Sequence, residues 1–188
     1  MQRDETITEP YIFFSFRFIT NVEEAVRKLC DALKARRPSI LCIIVDVDNA
    51  ESIRKEISKL LGRCQLVLVF GSQTYGEETR TQGCTFQEWN IIHNRQKPRF
   101  LIKMAEKFDF DYTRDFIFDD DKISFTWLPD RATGKWGEPP VELVEAIEKK
   151  WIKCLNRRTE PLFTKQIDWE QVKVDEAFVA AHATADWA

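Results

Sequence analysis

The sequence predicts an α/β protein with a central, mostly parallel five-stranded sheet and helices on both faces. Three observations carry that prediction. Short β-prone apolar runs alternate along the chain with longer stretches whose apolar residues recur every three or four positions. Alternation of this kind implies parallel pairing through right-handed crossovers. The crossovers are short and carry no glycine-rich strand-helix turn, which points to a compact three-layer sandwich.

The elements follow in order. Tyr11–Phe16 is aromatic and β-prone after Pro10. Thr20 or Asn21 caps the first helix, with Glu23 and Glu24 in its first turn. Val22, Val26, Leu29 and Leu33 line its inner face, and it stops before Pro38. Ile40–Val45 is a continuous apolar run, the pattern of a strand buried on both faces. Asp48 or Asn49 starts a second helix with Ile53, Ile57, Leu60 and Leu61 on one face, and Gly62 ends it. Gln65–Phe70 is a third buried strand, stopped by Gly71 and followed by a polar loop, Ser72–Gly83. Cys84 or Thr85 opens a third helix carrying Phe86, Trp89, Ile92 and His93. Pro98 precedes a fourth strand, Arg99–Met104. Residues 105–122 are acidic and irregular, and Ile123–Trp127 reads as an edge strand. Pro139 and Pro140 lead into a last helix with Val141, Val144, Ile147, Trp151 and Leu155 as its stripe. Trp127, Trp136 and Trp151 read as packing residues. The expected division is an N-terminal extension over 1–9, a domain over 10–156 and a tail over 157–188, with a weakly amphipathic helix around Asp168–Ala181.

Bulk properties narrow the function classes. A chain of 188 residues suits one domain with a proper core. It is 44% hydrophobic and 31% charged, an ordinary globular composition. The net charge of −3 leaves no basic excess for a phosphate backbone, which argues against duplex nucleic acid as a partner. No apolar run approaches the roughly 18 residues of a membrane span. The polar start, MQRDETITEP, cannot form a signal peptide's apolar core, so a soluble, cytoplasmic protein is expected. Five cysteines with no CxxC fit a reducing compartment, with Cys30, Cys42, Cys64 and Cys154 as small core residues. Neither His93 nor His182 has a cysteine at ligand spacing, and the aspartates from 109 to 121 lack an EF-hand's glycine and spacing, so no metal is expected.

Open parallel sheets bind ligands outside the carboxyl ends of their strands. That rule selects Ser15–Thr20, Asp46–Glu51 and Gly71–Trp89. Arg17 stands between Phe16 and Phe18, where its charge suits a phosphate and a ring suits a base; it equally suits a solvated surface. Asp46 and Asp48 serve a ligand or a helix cap with equal ease, and Tyr75 serves a ligand or merely pins its loop. Ser15 with His93 makes no triad, because no nucleophile elbow surrounds Ser15.

These segments carry a resemblance. YIFFSFRF resembles the first box of TIR domains, a strand ending in aromatic-Ser-aromatic-Arg. RCQLVLVFGSQTY is similar to their third strand and following loop. CTFQEWNIIHNRQKPRFLIKM is similar to the segment in which a glutamate starts an amphipathic helix. WLPD and WGEPPVELVEAIEKKW resemble the closing strand and helix of TIR-like domains from protists and marine invertebrates. The resemblance covers residues 10–156 and implies a flavodoxin-like sandwich. It departs in the short loop VDVDNAESI, which lacks the arginine, glycine and proline of receptor and adaptor domains. It departs again in the gap from Cys84 to Glu88, one residue longer than in the plant pattern.

The resemblance implies cleavage of NAD+ between nicotinamide and ribose, giving ADP-ribose or its cyclic form, in immune or cell-death signalling. NAD+ would be the substrate, with no cofactor. Glu88 matches the catalytic carboxylate, which would stabilise an oxocarbenium-like transition state. Phe16 and Arg17 match nucleotide-contacting positions, Asp46 matches a pocket-lining position, and Tyr75 and Trp89 are aromatic candidates for the rim. The enzymatic reading places the Glu88 carboxyl over a nucleotide-sized cleft and expects self-association to complete the site. Two competitors keep the same architecture: a non-catalytic TIR interaction module that signals by homotypic assembly, and a nucleoside deoxyribosyltransferase-like enzyme.

Overall fold

The computed structural model describes residues 9–45, 50–79, 84–119 and 123–159, excepting the side chains of 50–54, 158 and 159. Among these residues, five strands, β1 (Tyr11–Ser15), β2 (Leu41–Ile43), β3 (Leu66–Gly71), β4 (Arg99–Lys103) and β5 (Ser124–Thr126), form one sheet in the order β2-β1-β3-β4-β5. All four pairings are parallel, as the alternation of strands and helices requires. Among the described residues, four helices supply the outer layers: α1 (Thr20–Arg36), α2 (Ala50–Arg63), α3 (Thr85–Asn94) and α4 (Val141–Thr159).

Residue alternation along β1 sorts the two faces. Ile12, Phe14 and Phe16 turn to one core with Leu29 and Leu33 of α1 and Ile147 and Trp151 of α4. Tyr11 and Phe13 turn to the other, with Ile57 and Leu61 of α2 and Trp89 and Ile92 of α3. Trp127 and Trp136 pack edge to face at 5.2 Å within the first core. The α1/α4 face and the α2/α3 face are therefore chemically separate regions, and each site residue belongs to one of them.

Several expectations need correction. The run Ile40–Val45 forms only a three-residue strand at the sheet edge, where its residues are half-buried. Its two apolar faces arise because Ile44 packs on one core and Ile43 and Val45 on the other, not because it is central. Neither Thr20 nor Asn21 caps α1: both lie inside the helix, after Ile19, and the Asn21 side chain accepts from the Val22 backbone. Gly62 does not end α2, which runs to Arg63. Its carbonyl and that of Cys64 accept bonds from Lys97 Nζ at 2.6 and 3.3 Å, a cationic finish to the helix end. Val141 is exposed, and Leu143 takes its place in the α4 stripe. The stretch expected to be irregular contains one π-helical turn, Thr113–Ile117, closed by a 2.9 Å bond from Phe118 N to the Thr113 carbonyl. Asp48, Asn49, Ile53's side chain, Asp120, Asp121 and the tail from 160 onward lie outside the described residues.

Candidate active site

Ser15 is the last residue of β1 and shares the α2/α3 face with Tyr11 and Phe13. That alternation aims its hydroxyl at α3. Cys84 precedes α3 with extended backbone, so Glu88 falls in the helix's first turn. There Ser15 Oγ donates to Glu88 Oε2 at 2.5 Å. Tyr75, in the turn after β3, stands 2.7 Å from the same Ser15 oxygen. When Glu88 is ionised, the serine's one hydroxyl proton is committed to it and the tyrosine is the donor in that pair; when Glu88 is protonated, the acid can donate to Ser15 and the serine to Tyr75. The result is a hydrogen-bonded chain joining Tyr75, Ser15 and Glu88. Ser15 and Tyr75 have no exposed surface, and Glu88 is 7% exposed.

Burial governs the electrostatics. Desolvation pushes the Glu88 carboxyl up to about 8, and the Ser15 bond only partly opposes it. No cation among the described residues offsets the burial. The Tyr75 phenol is also pushed up, by burial first and by the neighbouring Glu88 second. The corner is held from behind. Thr113 Oγ1, in the π-helical turn, donates to the Tyr75 carbonyl at 2.6 Å, and Gly76 N donates to Thr85 Oγ1 at 2.9 Å. Gly76 has a φ of +81°, and an added Cβ would lie 2.4 Å from Thr113 Oγ1, so this turn demands glycine.

The other expected site residues disperse. Phe16 lies one residue beyond Ser15 and so turns to the opposite core, where it meets Phe18 and Phe70. It cannot stack on a ligand held by Glu88. Trp89 is 1% exposed and Tyr75 fully buried, so neither stands at a rim. Arg17 does lie near the rim, but it is fastened to the loop after β3 by a 3.1 Å bond to the Thr74 carbonyl and an ion pair with Glu77. Asp46 lies outside the described residues. Glu88 lines a groove of about 270 Å³ between α2 and α3, which is not the nucleotide-sized cleft expected over its carboxyl. His93 is exposed beside Trp89.

Sequence reasoning passed over Ser15 as a failed nucleophile and missed it as the partner of Glu88. The available signal was its position: a polar residue ending a strand that is otherwise apolar and buried. Thr85 and Thr113 left no such signal, because their roles depend on tertiary placement.

No family model matches the chain, and no curated protein does. Among solved structures it is similar to the crystal structure of the RPS4 and RRS1 TIR domain heterodimer, with 16% identity and a TM-score of 0.50. The match covers 78% of this chain and 98% of that one. The fold is TIR-like. Within this TIR-like fold, Glu88 stands on α3 under the carboxyl edge of the central strands. No three His, Cys, Asp or Glu side chains group as metal ligands among the described residues, and no helix there is long and apolar enough to cross a membrane.

Proposed function

We propose that this chain is a TIR-type NAD+ nucleosidase with Glu88 as its catalytic carboxylate. One observation carries the reading: a buried carboxyl, bonded among the described residues only to a neutral hydroxyl, at the edge where parallel sheets bind ligands. Burying a carboxyl without a counter-charge is costly, and such groups concentrate at functional sites. A cationic substrate reverses the cost. The pyridinium of NAD+ and the oxocarbenium-like ribose that follows both favour the ionised form of Glu88. The positive charge moves from the nicotinamide ring to the ribosyl carbon as the bond breaks, and a preorganised carboxylate at that carbon stabilises the change. Nicotinamide leaves as a neutral base, so no acid is needed to protonate it. Ser15 holds the carboxylate in place, and Tyr75 holds Ser15.

Substrate entry requires the corner to open, and assembly with a second copy is the proposed means. The similar solved structure is a TIR domain heterodimer, which supports contacts of that kind. The closed state of the corner favours a second reading, a non-catalytic module that works by homotypic contacts and uses Glu88 only to pin α3 to β1.

The test is nicotinamide release from NAD+ by concentrated protein, with and without a crowding agent, beside Glu88→Ala and Glu88→Gln. Release by the parent chain that both variants lose supports the enzyme. Absence of release in every condition, with self-association intact, selects the non-catalytic module. Base exchange on free nucleosides selects the deoxyribosyltransferase-like chemistry instead.

A further inference from the structure

The opposite edge of the sheet, where α2 feeds β3 and α3 feeds β4, concentrates positive charge. Lys55, Lys59 and Arg63 recur every four residues and so share one face of α2. With Ser58, Gly62 and Arg95, the residue that ends α3, they line an open basin of about 770 Å³. Four cations and no carboxylate line it, in a chain whose net charge is −3. Glu56, the one acid among the described side chains of α2, lies outside the lining.

Helix C-termini attract cations, so the charge that serves α2 itself has to be set aside. Lys97 spends its ammonium on the carbonyls of Gly62 and Cys64, and it does not line the basin. Arg95 spends one N–H on the Ser58 carbonyl, at 3.3 Å, which leaves the rest of its guanidinium fork. Lys55 and Arg63 make no ion pair among the described residues. Like charges held around one depression repel, and an anion seated among them removes that cost. Arg95 is also placed by the backbone. Gly62 leaves room for it, since a Cβ there would lie 2.7 Å from Arg95 Nη1. Gln96 follows in the left-handed region, with φ 49°, and turns the chain so that Arg95 and Lys97 both reach the end of α2.

The lining sets the ligand class. It holds cationic heads, one hydroxyl and a glycine, and no aromatic residue on which a base could stack. None of the exposed large hydrophobics among the described residues belongs to it, so a lipid surface would find no apolar foothold there. From Lys55 to Arg63 the row of cations is about 12 Å long, at about 1.5 Å of rise per residue. A linear anion with several charges along its length fits such a row, and a guanidinium grips phosphate oxygens in pairs. We infer that this basin binds an oligophosphate, held along α2 by Lys55 and Arg63 and across it by Arg95. Arg95 also lines the groove at Glu88, but oligophosphate binding needs no reaction there.

Calorimetric titration of the full chain with inorganic triphosphate at low ionic strength tests this, beside orthophosphate and an oligoglutamate peptide. Triphosphate is expected to bind saturably, and orthophosphate roughly tenfold more weakly or worse, because it reaches fewer of the cations. Arg95→Ala should weaken triphosphate binding by roughly tenfold or more, the worth of a charge-assisted bond, and Arg95→Lys should recover only part of the loss. Lys55→Ala should cost roughly two- to fivefold. Gly62→Ala removes no charge, yet it should weaken binding by displacing Arg95. The same variant should melt at or above the parent temperature, because alanine is the better helix former. Lys135→Ala, which removes an exposed cation outside the basin, should change nothing. Three results would overturn the assignment: no saturable triphosphate binding at millimolar concentration, equal losses in Arg95→Ala and Lys135→Ala, or oligoglutamate binding more tightly than triphosphate, which would mark the face as a dock for an acidic protein.

Discussion

The carboxyl edge of this sheet carries two polar regions built on opposite terms. On the α2/α3 side, Tyr75, Ser15 and Glu88 form a closed corner in which each hydroxyl has a partner. On the α1/α4 side, Ser72 Oγ, Thr74 Oγ1 and Trp136 Nε1 are buried without a hydrogen-bond partner, in residues that also line an open hollow. Two residues of β3's outgoing turn, Ser72 and Tyr75, are three positions apart and serve the two different regions. A satisfied, desolvated acid is equipped to respond to charge. Unpartnered buried hydroxyls and an indole N–H carry their desolvation cost with no bond to offset it. The first arrangement suits a response to charge, and the second marks ground that an apolar substitution would relax.

The largest expected effect breaks the comparison at its reactive end. If the closed corner is catalytic, Glu88→Ala should lower nicotinamide release by about a thousandfold, ~4 kcal/mol of barrier. Equal release by variant and parent would leave the corner structural.

A smaller effect concerns pH. The folded chain holds the Glu88 proton up to about pH 8, against an ordinary value of 4.5. Between those values the folded state binds more protons than the unfolded one, so stability is greatest below the window and falls as pH rises through it. At pH 7 the loss is at most about 3 kcal/mol. Urea unfolding from pH 5 to pH 8 should show this slope in the parent and not in Glu88→Gln. A parent curve as flat as the variant's would mean that the carboxyl is hydrated.

Glycine substitutions sharpen the contrast between closed and open ground. Gly76, in the corner, and Gly134, beside the hollow, both have positive φ, but only Gly76 is crowded. Gly76→Ala should cost about 2 kcal/mol or more, combining backbone strain with a clash, and Gly134→Ala about 1 kcal/mol from strain alone. Thermal melts that rank the two the other way would contradict the packing behind Tyr75.

The smallest pair of effects differs in sign. Tyr75→Phe removes a satisfied bond and should destabilise by about 1 kcal/mol, whereas Ser72→Ala removes an orphan and should be neutral or stabilising. Chemical denaturation of both variants reads the difference directly.

Much of the fold was legible because local pattern and tertiary fate agree in the sheet. The runs at Tyr11, Leu66 and Arg99 are strands within one or two residues of their expected limits. The run at Ile40 misled because an apolar sequence reports covered faces and says nothing of neighbours, so an edge strand with two covered faces looks central. Helix starts misled at Thr20 and Asn21 because capping depends on backbone geometry that composition does not fix. In the site, the segment of Glu88 was legible, but its surroundings were not. Phe16 was assigned to the nucleotide although period-two alternation already sets it opposite Ser15. Ser72, Thr74 and Trp136 lie 64 positions apart at the extremes, and only the packed sheet brings them to the lining of one hollow.

The π-helical turn at Thr113–Ile117 spends one residue more per ring than an α-turn would. Chain length at that spot therefore works as a ratchet. Excising a single residue would let the segment wind as α-helix and rotate Thr113 by about 100° relative to Phe118. The hydroxyl that braces the Tyr75 carbonyl would swing away while the buried Phe118 stayed in place. Insertions and deletions here, more than substitutions, are thus the changes best suited to loosening the acid's enclosure without dismantling the sheet beneath it.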